Sequence, residues 1–456
     1  MMKRGPQERE KKQLSATGLL KIVKTIFNKI SADFLSSRAR TRDPLNQGLK
    51  GRIKQISLAD SLMSSLAMFS LKSPSLLAFD KACRDKLVSH NLKTLYGIEH
   101  VPSDTYMREE LDEVNPQNLR TSFTSIFAAA QRGKLLERYQ FLGGLLLLVD
   151  GTNLFNSENV NCNDCCVKRH GDGRVSYYHQ ALAGVIAHPN NRQVIPLCPE
   201  LISKQDGTEK NDCERRALQR FLAALKKEHP RLKLTIASDA LSANAPTINE
   251  IKAHHHHFII NAKPGSNKAL FDWINGLELR TATVNVGKNS YFFRYINDVP
   301  LNDAKDSPNV NFLECRATEI NGKKITEKTF TWITDHTITA DKAYEIMLGG
   351  RARWKIENET FNTLKNQGYQ FEHNFGHGAK HLMSVFALLM MLAFLIDQIQ
   401  EATCGLFQAA IQKKGSRRAF WEIVRSYFNV YFINSWEDLF IAINQSLGVA
   451  LPLNSS

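Results

Sequence analysis

At 456 residues the chain has room for about two to four domains and a large core, and eight cysteines at that length exclude a disulfide scaffold and fit a reducing compartment. Lys and Arg number 59 against 45 Asp and Glu, a formal charge of +14, which favours polyanionic partners, nucleic acid first and anionic membrane second. No apolar run follows the basic start, so no secretory signal is expected and the chain reads as cytoplasmic.

Residues 1 to about 18 are polar and expected to be disordered. Leu19 to Leu35 interleaves apolar residues with lysines, a basic amphipathic helix able to lie on DNA, a partner or a membrane. Ser36 to Gly51 reads as a basic linker, so residues 1–49 form a basic arm and linker. The first 52 residues hold 13 Lys or Arg against 4 Asp or Glu. Leu58 to Phe69, Pro74 to about Lys86, Arg108 to Leu111 and Asn118 to Gln131 are predicted helices, which makes 50–138 an all-helical domain.

The character changes at Phe141 to Val149, a continuous apolar run ending in Asp150-Gly151-Thr152. A fully apolar strand ending in a carboxylate suits the centre of an α/β sheet, where active groups sit at the carboxyl ends of strands. Val175 to His188 and Arg192 to Leu197 are predicted strands around a Pro189-Asn190-Asn191 turn. Asn211 to Lys226 is a predicted helix that Asp212 can cap, and Leu232 to Ser238 is a strand ending in Asp239. Ala245 to Ala253 is a helix and Phe258 to Ala262 a strand, so 139–276 is the first part of an α/β core. Residues 277–334 break the alternation with short strands and turns, a β-rich insertion. The second part of the core, 335–400, holds a helix from Ala340 to Leu348, then Gly349-Gly350, then RARWKIENETFNTLKNQGY at 351–369. Gly368 is a candidate cap for that helix. A buried helix follows at about 379–399. Its most apolar part, 386–396, is too short to span a membrane. Residues 401–456 form a helical, aromatic-rich tail.

Within 351–369, Arg353 and Glu357 lie four apart and Lys365 eight beyond Glu357, roughly one helical face. Trp354, Ile356, Phe361 and Leu364 supply the buried side. The pattern suits a plain salt-bridged helix, or a carboxylate that binds metal and holds phosphate nearby. Asp150 and Asp239, read singly, are strand-end turn or capping residues. With Glu357 they make three carboxylates, 89 and 118 residues apart. A mixed sheet can gather such a set to hold two divalent ions for phosphoryl transfer, and sparse carboxylate sites suit Mg²⁺.

Cys162-x-x-Cys165-Cys166 with His170 has the density of a zinc ligand set, which His179 or Cys198 can complete; read otherwise, these are reduced thiols without a metal. The run His254 to His257 is incidental, because adjacent side chains cannot all face one point. Arg215 and Arg216 can meet phosphate, and Lys263-Pro264-Gly265 reads as a turn over DNA. His373, Asn374 and His377 either touch the reacting region or fix a turn.

Over residues 50 to 400 the chain resembles the DDE transposases of bacterial insertion sequences, specifically the IS4-like group. Arg353-Trp354-Lys355-Ile356-Glu357 is similar to that group's Arg-Trp-x-Ile-Glu signature, and DGTNLFNSENVNCNDCC and YYHQALAGVIAHPNNRQVIPLCPE resemble it as well. The resemblance implies an RNase H-like catalytic core with a β-strand insertion between the second Asp and the Glu. It implies Asp150, Asp239 and Glu357 as catalytic residues with two Mg²⁺ (or Mn²⁺) ions, and DNA contacts from Arg353. The family's Tyr falls on Gly350, with Tyr344 the nearest candidate. Its Lys falls on Leu364, with Lys365 one further on. Glu359, six before Lys365, is an alternative third carboxylate. Arg215, Lys263, Trp354 and His373 join the expected DNA contacts.

The implied activity is cut-and-paste excision and strand transfer of an insertion sequence, a DNA recombination reaction. In that group flanking DNA is often released through a hairpin, and Trp332 or Trp354 is the candidate to stack on a displaced base. The implied partners are double-stranded DNA, both terminal inverted repeats and target. A homodimer is implied too, joined through the carboxyl-terminal helices, with no membrane and a bacterial, nucleoid-associated location. Two other readings stand beside it: a metal-dependent DNA nuclease on the same core, and a catalytically inactive sequence-specific DNA-binding protein.

Overall fold

The computed structural model describes residues 14–40, 56–162, 164–202, 210–321 and 324–445. The polar stretch before residue 14, most of the predicted linker and the Asp212 side chain lie outside them. Helices α1 (Ala16–Arg40), α2 (Leu58–Ser70), α3 (Leu76–Ala82), α4 (Lys86–Tyr96), α5 (Asp104–Asp112) and α6 (Arg120–Arg132) come first. The starts of α2 to α5 are written in the sequence. Ser57, Ser75, Asp85 and Ser103 each accept a hydrogen bond from a backbone N–H of the first turn. The Asp85 cap is why the helix predicted from Pro74 to Lys86 stops early and a second one begins. Leu19, Leu20, Val23, Phe27 and Ile30 of α1 are buried against α2 and α6. The apolar face predicted to lie on DNA or membrane is therefore part of the core.

The sheet contains β1 (Gly144–Ser157), β2 (Cys166–Arg169), β3 (Val175–Ala187), β4 (Glu200–Ile202), β5 (Leu234–Ser238), β6 (His257–Asn261), β7 (Arg280–Val286), β8 (Asn289–Pro300), β9 (Asn309–Asn321) and β10 (Lys324–Thr334). Its order is β2-β3-β1-β5-β6-β10-β9-β8-β7, with β4 also on β3. Strands β1, β5 and β6 are parallel, and β3 runs against β1. Helix α7 (Lys210–Glu228) leads from β4 to β5, and α8 (Ala245–Ala253) from β5 to β6. Leu145 to Val149 and Leu234 to Ser238 are buried residue after residue, as central strands covered on both faces must be. The β-rich insertion continues this sheet, since Ile333 of β10 pairs with Ile260 of β6. Of the predicted strand Arg192 to Leu197, Ile195–Pro196 alone is paired as a strand. The Val194 N–H is instead taken by the Gln398 side chain. Helix α9 (Lys268–Asn275), which precedes the insertion, was not predicted.

The segment predicted as one helix over 351–369 is broken into three. Helix α10 (Ala343–Arg351) runs through both glycines, a π-helical stretch covers Ile356–Phe361, and a short α11 (Asn362–Asn366) follows. A Cβ on Gly350 would overlap the Trp332 indole, and one on Gly349 the Phe141 ring, so close approach and not helix breaking demands the two glycines. Ile356, Phe361 and Leu364 are buried as expected, but Trp354 is 44% exposed. The wider π turn rotates the face that a 3.6-residue period would give.

Helices α12 (Leu382–Thr403), α13 (Gly405–Lys414), α14 (Arg417–Val430) and α15 (Trp436–Gln445) complete the described chain. Among the described residues, α12 is the one helix long and apolar enough to cross a membrane, and it is buried inside the protein against α2. Phe420, Trp421, Phe428 and Trp436 are buried too, packed with Phe407, Phe440 and Tyr96. These rings of the carboxyl-terminal helices thus pack inside one chain.

Asp112 at the end of α5 sets the start of α12. Its carboxylate accepts hydrogen bonds from the backbone N–H groups of Ala379, Lys380, His381 and Leu382. Partial burial raises its pKa, but the four donors together hold it below the ordinary aspartate value. Asp112→Asn is expected to cost about 1–2 kcal/mol of stability at neutral pH. The carboxylate's contribution is complete above the ordinary aspartate range near pH ~4 and is lost as pH falls through its lowered native value. Denaturant unfolding should therefore show wild type and variant converging in acid. A gap that stays constant with pH would refute the role.

A second junction sits in the turn after α2. Lys72 is buried in a left-handed conformation, φ 56°. Its ammonium donates to Asp397 of α12 at 2.6 Å and to the Ser70 carbonyl at 2.9 Å. It also lies 3.8 Å over the Tyr369 ring and 4.0 Å over that of Trp421. The Tyr369 hydroxyl donates to the same Asp397. Burial pulls the Lys72 pKa down to about 8 against the opposing pull of Asp397.

Candidate active site and metal centre

Leu148 of β1 lies beside Ala237 of β5 in parallel register. Asp150 and Asp239, each two residues further along, therefore reach the same level just past the end of this parallel pairing; Asp239 follows the last residue of β5, whereas β1, expected to end at Asp150, runs on against β3 to Ser157. Both line one cleft, together with Val149, Ser238, Glu214 and Arg215. Asp239 ends its strand by accepting from the Leu241 N–H at 3.0 Å, which turns the chain away and opens the cleft. The capping role foreseen for it is real and leaves its second oxygen available to other partners.

Glu214, near the start of α7, is the acid that the sequence did not single out. A Cβ on Gly151 would overlap its carboxylate, so the glycine immediately after Asp150 is what admits it to the cleft. The Gly following the strand-end Asp was the only signal, and it does not name its neighbour.

Arg353 Nη1 stands 3.3 Å from Asp150 Oδ2, both side chains about a quarter exposed (26% and 25%). This pair brings the turn before the π-helical stretch to β1. Glu357, one turn on, is exposed. Glu359 faces elsewhere, 3.5 Å from Arg192 and interacting with Lys355. Lys355 is buried, donates to the Asn191 carbonyl at 2.8 Å, and has its pKa lowered by that burial. The three predicted carboxylates are not drawn into one tight cluster. Among the described residues, two groups of potential ligands have all their ligating atoms within 4.8 Å of one another, and neither includes Asp150, Asp239 or Glu357. Asp150 has the Arg353 guanidinium at its side instead of a third acid.

Of the other expected DNA contacts, Arg215 lines this cleft, and Lys263, Lys365, His373 and Tyr344 are not among its lining residues. Lys263 is exposed in the turn after β6, where Asn267 ties that turn to Ala243, just past Asp239. Lys365 pairs with Glu372 at 2.9 Å on the surface, and His373 is exposed with its ring edge-on to Phe375. Tyr344 is half-buried against the Tyr291 ring. No tyrosine fits at Gly350, where Trp332 fills the space. Trp332 itself is fully buried, so the expectation that it stacks on a displaced base is wrong, and Trp354 is the exposed one of the two. Of the four adjacent histidines, His257 joins a ligand group, with Asp335 and His336.

The cysteine loop forms a compact centre with different members from those expected. Cys162, Cys165, His179 and His377 converge. Cys162 Sγ lies 3.8 Å from Cys165 Sγ and 3.3 Å from His179 Nε2. Cys165 Sγ lies 3.3 Å from His179 Nε2 and 3.3 Å from His377 Nε2. Cys166 is excluded because its thiol is buried toward the Ile202 carbonyl. His170 is excluded because its Nε2 bonds the Ser176 hydroxyl. Cys198 is buried elsewhere, near Arg120. The Cys₂His₂ cluster can coordinate a structural metal.

No protein-family model matches the chain, and no curated protein is similar to it at a significant level.

Proposed function

We propose that this protein is a DNA transposase that excises and joins an insertion sequence by metal-dependent phosphoryl transfer. The observation that carries the reading is the pair Asp150 and Asp239, level with one another just past the parallel pairing of β1 with β5 and lining one cleft with Arg215. The strand order β4-β3-β1-β5-β6, with β3 alone reversed, is what an RNase H-like core would require and supports the same reading. So does the β-rich insertion between Asp239 and the segment bearing Glu357.

Asp150, Asp239 and Glu357 offer the hard oxygen donors that Mg²⁺ or Mn²⁺ takes. Two such ions would lower the pKa of the attacking water or 3′-hydroxyl and stabilise the leaving oxygen. The protein's own groups do the positioning. Arg353 orients the Asp150 carboxylate. Arg215 within the cleft suits the phosphates of a DNA strand, and Lys263, Lys365, Tyr344 and His373 are the further contacts the resemblance implies. Exposed Trp354 suits stacking on an unpaired base. Glu357 is preferred to Glu359 as the third acid because Arg192 and Lys355 already engage Glu359. Two chains, each holding one terminal inverted repeat, would bring the ends together before attack on target DNA.

The test is a cleavage and joining assay with Mg²⁺ on DNA carrying the element's own ends. Glu357→Gln should cut joining by more than about 100-fold, beyond the range for residues that only support a metal ligand, and Glu359→Gln should leave it nearly intact. Loss in the Glu359 variant alone would move the third carboxylate. Wild-type cleavage without joining would replace the transposase with a nuclease, and end binding without cleavage would leave an inactive DNA-binding protein.

A further inference from the structure

We propose that Cys162, Cys165, His179 and His377 bind one structural Zn²⁺, which staples the loop after β1 to the segment between the Glu357 stretch and α12. The sulfur–sulfur distance is 3.8 Å, and the three sulfur–nitrogen distances are 3.3 Å. Those are close to the edges of a tetrahedron around an ion with Zn–S of about 2.3 Å and Zn–N of about 2.0–2.1 Å. The sulfurs stand far beyond the ~2.05 Å of a disulfide.

The local fold prepares the two thiols. Cys162 and Cys165 sit in a tight turn in which the Cys165 N–H donates to the Cys162 carbonyl at 3.3 Å. The Cys162 N–H donates back to the Cys165 sulfur at 3.4 Å, a contact that favours thiolate. His179 comes from β3, and His377 from the loop that leads into α12. Cys165 is fully buried, and His179 and His377 are 5% and 7% exposed. His179 Nε2 faces both sulfurs, and Cys165 Sγ faces both imidazoles. A ring nitrogen offers a single lone pair or a single proton, so His179 Nε2 cannot serve both sulfurs well, whereas one cation satisfies all four atoms. Two soft thiolates with two imidazoles select Zn²⁺ over hard cations. Four protein ligands close the site, which makes it structural and not catalytic.

The staple spans 212 residues between Cys165 and His377. One end lies just beyond the strand that carries Asp150, and the other follows the segment that carries Glu357 and Lys365. The inference does not depend on the transposase reading. A chain that holds zinc yet neither cuts nor joins DNA keeps the staple and loses the transposase, and the reverse result does the opposite.

The test uses the full chain, purified without chelator. Elemental analysis should find about one zinc per chain. Exchange with Co²⁺ should give the intense visible bands of a tetrahedral site and a thiolate charge-transfer band in the near ultraviolet. Cys165→Ser and His377→Ala should lose the metal, while Cys166→Ser and His170→Ala keep it. If Cys165→Ser does not fold, the wild-type cobalt spectrum and the two retained variants still decide. Weak octahedral bands overturn the proposal. So does zinc well below one equivalent after loading and gel filtration, or loss of metal in Cys166→Ser with retention in His377→Ala.

Discussion

Asp150→Asn and Asp239→Asn, made singly, should each lower strand transfer by at least about 10²–10³-fold, the effect of removing one charge-stabilising group from an enzymatic site. Neither should unfold the protein. An asparagine at 239 still offers a carbonyl oxygen to the Leu241 N–H, so the turn that opens the cleft survives. At 150 the substitution weakens a part-exposed contact with Arg353, worth at most about 1 kcal/mol. Single-turnover joining, measured beside thermal unfolding and end binding, separates the outcomes. Asp239→Asn that joins DNA at the wild-type rate would reduce Asp239 to a cap and remove the basis of the proposed site. Loss of joining together with loss of folding would mean that the two acids are structural.

Lys72→Met should be the most destabilising of the substitutions considered, at about 3–5 kcal/mol, because among the described residues it leaves the buried Asp397 with just the Tyr369 hydroxyl as a side-chain hydrogen-bond partner. The left-handed backbone at Lys72 does not complicate the comparison, since Lys and Met meet the same steric cost there. Replacing both charges, Lys72→Met with Asp397→Leu, should recover part of the loss, because an uncompensated charge costs more than a missing pair. Urea unfolding of the two variants gives the answer. A Lys72→Met protein within about 1 kcal/mol of wild type would show that water reaches Asp397.

The central strands are legible because Leu145 to Val149 is apolar without alternation, Leu234 to Ala237 is apolar but for Thr235, and an acid follows each run. Periods and end signals are local, and local information carried that far. It did not carry Glu214, whose place depends on the absence of a side chain at Gly151. Nor did it carry His377, which reaches Cys165 from the far side of the sheet's whole insertion. Cys166 and His170 are near the ligands in the chain, but the Cys166 thiol is buried toward the Ile202 carbonyl and His170 is held by Ser176. The π-helical stretch was equally hidden, because a regular 3.6-residue period was assumed across Arg353 and Glu357. Trp332 was offered to DNA on its chemistry alone, while its indole packs on the backbone of Gly350.

One consequence lies in the order of synthesis. Helix α2 is buried along its length, and much of its cover is α12, which begins more than 300 residues later. At about 5–20 residues per second, α2 waits on the order of 15–60 s on the ribosome before that cover exists. An early stop codon or frameshift before Leu382 would therefore leave a sticky, unfinished amino-terminal half. Such a truncated copy would be a substrate for chaperones and proteases, not a shortened but folded protein.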